Sequence, residues 1–149
     1  MTRYLIVGVG GAIGAVLRWA VGGLMATDSA TVGDAAFPWG TFVVNISGCF
    51  IIGLFLTVLA ARRWSEEVRL FVAVGVLGGY TTFSAFGWET LSLARAGRAD
   101  LSMVYIAGSV ALGLAAAALG ASVGRANTRG RAPYAGAAHG RIPSRGGDK

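Results

Sequence analysis

Four long apolar segments, separated by short polar stretches, constrain the fold of this chain more than any other feature of its sequence. A helix of about 20 apolar residues is long enough to cross the hydrocarbon core of a membrane. Of the 149 residues, 54% are hydrophobic and only 13% are charged, which is unlike a soluble domain. The sequence therefore predicts an all-α membrane protein whose four transmembrane helices lie within residues 1–124. The segments are residues 5–26, 39–61, 68–94 and 101–123.

The third segment carries small and polar residues at its centre. Gly78, Gly79, Thr81 and Thr82 interrupt an apolar run that is longer than one span requires. Small residues of this kind mark sharp kinks, and irregular backbone inside a membrane has to be enclosed by protein. We therefore expect two half-helices with a break near the middle of the third span. A bound cation, such as sodium, would satisfy the carbonyl groups that the break leaves free.

The C-terminal residues 125–149 are predicted to form a disordered basic tail, because arginine and lysine are spread there among glycine, alanine and proline. The tail either attracts anionic lipid head groups or is an unstructured extension that helps to keep the C-terminus in the cytoplasm. Cytoplasmic loops carry an excess of arginine and lysine, and this rule favours both termini inside. The basic residues on that side, besides the tail, are Arg3, Arg62, Arg63 and Arg69.

The chain offers few residues for covalent or metal chemistry. Its single cysteine, Cys49, lies in an apolar segment, and its single histidine, His139, lies in the tail. A disulfide within one chain, a cysteine and histidine metal site and a catalytic triad that uses histidine are therefore excluded. We expect neither an enzymatic activity nor a nucleic-acid partner.

Two charged residues, Arg18 and Glu89, fall inside predicted spans. A charged side chain at the centre of a lone transmembrane helix costs about 2.5–3.5 kcal/mol on insertion scales, so each must face protein, water or an interface. Arg18 is either a structural anchor near a helix end or a residue at a pore entrance. Glu89 is either a hydrogen-bonded or vestibule residue or a plain helix-end residue.

Groups suited to an anion recur on the second and third spans. Thr41, Asn45 and Gly48 share one face of the second span, and the amide of Asn45 donates two hydrogen bonds. Phe83 and Phe86 share a face after the break, and the edge of a phenylalanine ring is partially positive. These groups suit a pore for a small dehydrated anion. An interhelical hydrogen bond and a core contact are the alternatives.

The fourth span carries hydroxyl groups on one face, at Ser102, Tyr105 and Ser109. They would continue a hydrogen-bonding path through the membrane. Packing, with hydroxyls bonded to carbonyls of their own helix, is the alternative for each serine.

Three patterns carry a resemblance to a known family. In their order and spacing the chain resembles the Fluc-type fluoride channels, also called CrcB proteins. The resemblance implies a passive, fluoride-selective channel that exports fluoride from the cytoplasm across the inner membrane and protects against fluoride toxicity. It also implies an antiparallel, dual-topology dimer with two pores and a structural sodium ion at the dimer centre. The patterns are GGAIGAVLRW (10–19), GTFVVNISGCFIIG (40–53) and GVLGGYTTFSAF (75–86).

The resemblance also implies the roles of particular residues. Asn45 would be the pore asparagine, and the ring edges of Phe83 and Phe86 would face fluoride. Arg18 matches the arginine that ends the first motif. The backbone carbonyls of Gly78 and Thr81 would hold the sodium ion. The other polar positions near the pore are Thr82, Ser84, Glu89, Tyr105 and Ser109.

The chain departs from the family pattern at a few positions. Tyr80 stands where phenylalanine is frequent, and Gly113 and Ala117 follow Ser109 at one and two turns. The two small residues leave the inner end of the hydroxyl path without a side-chain donor.

Two other functions fit the same residues. One is a proton-coupled fluoride transporter that uses Glu89 as the proton carrier, and the other is a structural scaffold whose small-residue faces assemble helices. In each case the subunit is expected to pair with itself or with a related subunit of opposite orientation, among membrane lipids.

Overall fold

The computed structural model describes residues 1–25 and 36–129, and within these ranges every regular element is helical. Helix α1 spans Thr2–Leu24 and α2 spans Trp39–Arg62. The third span, Glu66–Arg95, is composite, and α6 is the fourth, Ala99–Arg129. All four are long and apolar enough to cross a membrane, which confirms the predicted four-span helical protein.

The third span is assembled from four helical pieces. It begins with α3, Glu66–Arg69, and continues as a π-helical segment, Leu70–Leu77. A short α4, Gly78–Tyr80, ends at the interruption, and α5, Phe83–Arg95, follows it. The π-helical segment is not foreseen from the sequence, because a run of apolar residues has no periodicity that distinguishes π from α geometry.

The interruption is confined to Thr81 and Thr82, whose backbones are extended with ψ angles of 159° and 122°. It is narrower than the expected break over Gly78–Thr82. The Thr81 N–H and hydroxyl both donate to the Leu77 carbonyl oxygen, each at 3.0 Å, and so keep the preceding turn helical. On the other side, the Thr82 hydroxyl accepts the Ala85 N–H at 3.2 Å and caps α5.

The fourth span is longer than the sequence predicts. Helix α6 continues to Arg129, so residues 125–129, which the sequence analysis assigns to the basic tail, are helical. Alanine and arginine favour helix, and the Thr128 hydroxyl donates to the Gly124 carbonyl oxygen at 3.0 Å. The rest of the predicted tail, 130–149, lies outside the described residues.

The spans pack as two parallel pairs. Helix α1 lies against the first half of the third span, and α2 lies against α6. A Cβ atom at Gly10 would meet the Phe71 carbonyl oxygen at 2.6 Å, and one at Gly14 would overlap the Val76 carbonyl. Such close backbone approach is typical of small-xxx-small helix pairs in membranes.

Helices α2 and α6 approach each other in the same way. A Cβ atom at Gly120 would overlap the Phe50 carbonyl, and one at Gly124 would meet the Leu54 carbonyl oxygen at 3.1 Å. In both pairs the contacts advance in the same direction along the two helices, which makes the pairs parallel.

The interruption also changes the neighbour of the third span. Before it, the π-helical segment and α4 pack on α1, whereas α5 packs on α6 after it. The interruption therefore lies where the two parallel pairs meet, with α1 against the turn that precedes it and α2 against Thr81 and Thr82.

Candidate functional site

Asn45 holds the interruption of the third span against α2. Its Nδ2 donates to the Thr82 carbonyl oxygen at 3.0 Å, and its Oδ1 accepts the Thr82 N–H at 2.9 Å. The amide thus pairs both backbone groups of one extended residue, as an adjacent strand would. One N–H of the amide is not used by these two bonds and remains available to a ligand.

A second contact from α2 reaches the helical turn that precedes the interruption. The hydroxyl groups of Ser47 and Tyr80 lie 2.9 Å apart, and the Tyr80 side chain is buried. Tyr80 is one of the departures noted in the sequence, and its hydroxyl is what makes this bond possible. Together with Asn45, Ser47 fixes both sides of the interruption to the same helix.

A second polar cluster surrounds Glu89 on α5. The Thr41 hydroxyl donates to one carboxylate oxygen, and the Tyr105 hydroxyl donates to the other, both at 2.7 Å. The carboxylate therefore joins α2, α5 and α6. Of the two interpretations of Glu89, the structure supports the hydrogen-bonded one.

A row of aromatic rings connects the interruption to this cluster. The Phe83 and Phe86 ring centroids are 5.6 Å apart, and those of Phe86 and Tyr105 are 5.1 Å apart. The rings are tilted by 41° and 52°, so edges as well as faces point along the row. Phe83 is 84% exposed in the single subunit, whereas Tyr105 is completely buried.

Ser109 lies one helical turn beyond Tyr105 on α6. Among the described residues, its hydroxyl is the only buried side-chain oxygen or nitrogen without a hydrogen-bond partner. Buried polar groups are nearly always paired, so this hydroxyl is available to a ligand or a water molecule. By the register of α2 and α6, Ser109 lies near the level of Asn45, since Gly108 faces Phe42 and Gly113 faces Ile46. The Asn45 amide and this hydroxyl therefore lie at one end of the row of rings, and the Glu89 cluster lies at the other.

A cavity of about 330 Å³ opens beside the Asn45 amide. The cavity is lined by Thr82 and Phe83, on the C-terminal side of the interruption. The hydroxyl groups of Thr82 and Ser84 lie 3.2 Å apart at this point, which brings Ser84 to the same cluster. Gly78 and Thr81 line the cavity as well, so the two positions expected to hold sodium lie next to the expected anion path.

Gly78 lies at an open position on the surface of the protein. Within the described ranges no three histidine, cysteine, aspartate or glutamate side chains come together as a metal site. Gly78 is exposed on the subunit surface, and a Cβ atom there would find its nearest neighbour, the Ala73 carbonyl oxygen, only at 3.9 Å.

Arg18 is half-buried and forms neither a hydrogen bond nor an ion pair with another described residue. It follows Gly14 by one turn, on the face that packs against the third span. Since Gly14 contacts the backbone of Tyr80, Arg18 lies at the level of the interruption. Its side chain is not part of either polar cluster.

Two residues of these clusters are missing from the sequence-based set of site residues. Thr41 shares a helical face with Asn45 in the sequence, and that spacing was the signal that could have placed it in the site. Ser47 gave no signal, because its partner is the hydroxyl of Tyr80, whose position beside α2 follows only from the fold.

Comparison with known proteins gives a consistent result over nearly all the described chain. The family described as "CrcB-like protein, Camphor Resistance (CrcB)" matches residues 5–121. A Thermus thermophilus protein named "Fluoride-specific ion channel FluC" is 47% identical over 126 residues, which cover 85% of this chain and 98% of that protein. Proteins of the same name from Rhizobium etli and Chloroflexus aurantiacus are 46% and 44% identical, with 98% and 97% of their lengths covered.

Proposed function

The chain belongs to the CrcB-like family, and from this premise we propose that it is a subunit of a fluoride-specific ion channel. The observation that carries the proposal is the row of rings Phe83, Phe86 and Tyr105, with the Asn45 amide and the unpaired Ser109 hydroxyl at one end and the Glu89 cluster at the other. The row lies in a four-span membrane protein with no residues arranged for catalysis in the described ranges. A channel, and not an enzyme, is the activity that such a row supports.

Fluoride binds water tightly, so a selective pore has to replace much of its hydration shell. The unused N–H of Asn45, the ring edges of Phe83 and Phe86, and the unpaired Ser109 hydroxyl are separate, weak donors. Several weak sites in succession allow an ion to enter and to leave, whereas one fixed cation would retain it. Arg18 lies at the level of the interruption, and we propose that its positive charge attracts anions towards the row.

The proposed transport is passive and directed outwards. Hydrogen fluoride is a weak acid that crosses membranes in its neutral form and ionises in the cytoplasm. A membrane potential that is negative inside drives the trapped anion out through a selective pore. We therefore place the protein in the cell inner membrane, where it protects the cell against fluoride toxicity.

A second subunit is needed to enclose this pore. Phe83 is 84% exposed in the single subunit, and the cavity beside Asn45 opens to its surface. We propose an antiparallel dimer, formed with a second copy or with a related subunit of opposite orientation. The partner would cover Phe83 and complete the wall that one subunit leaves open.

We further propose that a sodium ion binds between the subunits. The backbone carbonyls of Gly78 and Thr81, on the open side of the interruption, would hold it together with the same groups of the second subunit. The ion would supply positive charge and a fixed link between the two interruptions. Its role is structural.

Fluoride efflux from liposomes tests the proposed function. Liposomes loaded with fluoride and reconstituted with the purified full-length chain should release it when the potential is collapsed with a potassium ionophore, and chloride release should stay at background. We expect Phe83→Ile to slow efflux by about tenfold or more, since about 1.4 kcal/mol lost at the limiting step gives a factor of ten.

Phe55→Ile is the matched control, because the Phe55 ring packs against Trp64, away from the row. It should conduct like the wild type. Equal loss in both variants would show that the substitution acts through stability, and absence of efflux from folded wild-type protein would show that this chain alone is not a channel.

A second candidate function comes from the Glu89 cluster. A carboxylate that joins three helices through two hydroxyl groups is a possible proton carrier, as in a proton-coupled fluoride transporter. A scaffold role is a third, and it predicts that Phe83→Ile changes stability and leaves fluoride flux unaltered. The dependence of flux on a pH gradient separates the first two functions.

A further inference from the structure

One end of the molecule carries most of its positive charge. The start of α1, the end of α2, the start of α3 and the end of α6 all lie there, because the four spans alternate in direction. The acidic residues at that end are Glu66 and Glu67, and Glu66 is bound to Arg69 at 2.6 Å and 2.8 Å. Within the described ranges the arginines at that end without an ion pair are Arg3, Arg62, Arg63, Arg125 and Arg129.

Arg63 has a backbone conformation that points to a role for its charge. With φ of 50° and ψ of 42°, it caps α2 in the left-handed region, and it is the only residue besides glycine with positive φ in the part of the chain described here. Glycine occupies such helix ends without steric cost, whereas other residues are uncommon there. Because the turn itself would favour glycine, an exposed arginine at this position points to a role for its positive charge.

The parallel packing of α2 and α6 brings a third arginine to the same level. Gly124 contacts Thr57 at 2.9 Å, measured from an added Cβ atom to the Thr57 Cβ. Arg129 and Arg62 follow these two residues by equal numbers of positions, so both lie the same distance beyond the contact. Arg129 therefore lies at the level of Arg62 and Arg63, across the seam between the two helices.

An aromatic side chain places these cations at the membrane surface. The guanidinium carbon of Arg62 lies 6.0 Å from the centre of the Trp64 ring, and Trp64 is partly exposed. Tryptophan is enriched where the hydrocarbon core meets the lipid head groups. The cations around it are then at the depth of the phosphate groups.

We propose that Arg62, Arg63 and Arg129 bind the phosphate group of an anionic phospholipid in the leaflet at this end of the molecule. Arginine presents a planar fork of donors that matches phosphate oxygen, and Trp64 packs against the glycerol and upper acyl chain. The inference does not depend on fluoride transport, and its test contains no fluoride.

Lipid competition on the full-length chain tests the proposal. A trace of fluorescent phosphatidylglycerol is bound to the protein in neutral detergent and displaced by unlabelled phosphatidylglycerol or phosphatidylcholine with the same acyl chains. We expect the wild type to prefer the anionic lipid. Each arginine removed should lower that preference by about fivefold, which corresponds to about 1 kcal/mol per cation near anionic lipid.

The variants are Arg62→Gln, Arg63→Gly and the double variant. Arg63→Gly is informative because glycine suits the left-handed turn, so it should remove the charge without loss of thermal stability. The double variant Glu66→Gln with Arg69→Gln is the matched control, since it removes an ion pair and leaves the net charge of this end unchanged, and Arg95→Gln tests the opposite end of the molecule. Both should keep the wild-type preference.

Three outcomes would overturn the proposal. The first is an Arg62→Gln and Arg63→Gly double variant with wild-type lipid preference, and the second is an equal loss in the Glu66 and Arg69 double variant or in Arg95→Gln. The third is displacement of the labelled lipid by inorganic phosphate at the concentration at which phosphatidylglycerol displaces it, which would assign the site to a free anion.

Discussion

At the scale of single residues, the two polar clusters show how a few side chains let a membrane helix stop and restart. Asn45 replaces the missing helical partners of Thr82, and the Glu89 carboxylate accepts hydrogen bonds from hydroxyl groups on two neighbouring helices. In a membrane no water is present to take these bonds over, so every backbone group of the interruption needs a protein partner. The side chains that line the proposed path are therefore also structural.

Asn45→Ala should destabilise the protein measurably. It leaves the Thr82 N–H and carbonyl groups without partners, at a cost of about 1–3 kcal/mol for each group. Thermal unfolding in detergent, followed by loss of the monodisperse peak in size-exclusion chromatography, measures the effect. Ser92→Ala is the control, because the exposed Ser92 hydroxyl bonds only a carbonyl of its own helix, that of Trp88. Equal midpoints for the two variants would contradict the structural role of Asn45.

Glu89→Gln separates a channel from a proton-coupled transporter. In a channel, wild-type fluoride efflux depends on the electrochemical gradient of fluoride alone, so an imposed pH gradient at constant potential should leave the rate unchanged. In the glutamine variant we expect an altered rate, because the amide accepts fewer hydrogen bonds from Thr41 and Tyr105, and an unchanged independence of the pH gradient. Wild-type flux that requires a pH gradient and disappears in Glu89→Gln would favour the transporter.

At the scale of helices, glycine sets the distances between spans. Gly14 and Gly120 each lie where an added methyl group would overlap the backbone of a neighbouring helix. Gly8 lies on α1 as well, but an added Cβ atom there has no neighbour within 4 Å. Gly14 follows Gly10, and Gly124 follows Gly120, at the four-residue spacing that predicts close helix packing, whereas Gly8 has no glycine four residues away.

Gly14→Ala should therefore destabilise the protein by about 1–3 kcal/mol, the usual range for overpacking a tight contact. Gly8→Ala should be neutral or stabilising by up to about 1 kcal/mol, since alanine favours helix over glycine. The unfolding midpoints of the two variants, measured side by side, check this pair. A more stable Gly14→Ala protein would contradict the close approach of α1 to the third span.

The sequence predicts the elements better than their junctions. Length and hydropathy suffice for four spans, and the glycine and threonine residues at 78–82 indicate an interruption in the third. Its exact position, Thr81 and Thr82, depends on the bonds to Leu77 and Asn45, which arise only after α2 and the third span have packed. The prediction of a tail from residue 125 is wrong for 125–129, because the arginines there favour helix as well as carrying charge.

For the candidate site, too, the sequence predicts which residues share a helix face, and it does not predict which residues meet between helices. The spacing of Phe83 and Phe86 is enough to put them on one face of a helix, and the structure brings both next to Tyr105. The two hydroxyl groups that bind Glu89 come from α2 and α6, so no spacing within one helix predicts the cluster. The resemblance places Arg18 among the pore residues. In the structure Arg18 lies at the level of the interruption and contacts neither polar cluster.

At the scale of the whole molecule, two features favour different arrangements of the subunits. They are the distribution of positive charge and the exposure of the Phe83 side chain. The positive charge at one end favours a single orientation, with that end in the cytoplasm. An antiparallel pair of identical chains needs both orientations. The two requirements are compatible only if a fraction of the copies inserts against the charge bias.

Reporter fusions measure that fraction. A C-terminal green fluorescent protein is fluorescent only in the cytoplasm, and a C-terminal alkaline phosphatase is active only outside it. We expect signal from both fusions, with the cytoplasmic one larger. Signal from only one fusion would rule out an antiparallel homodimer and would require a related subunit of opposite orientation.

The parallel pairing of α1 with the third span, and of α2 with α6, has a consequence for synthesis. Each helix packs most closely on the helix after next, so the two pairs are interleaved along the chain. When α1 and α2 have left the ribosome, neither has met its main partner, and their glycine faces are still turned towards lipid. The pair of α1 with the third span forms once that span has entered the membrane, whereas α2 and α5 have to wait for α6, the last helix to enter.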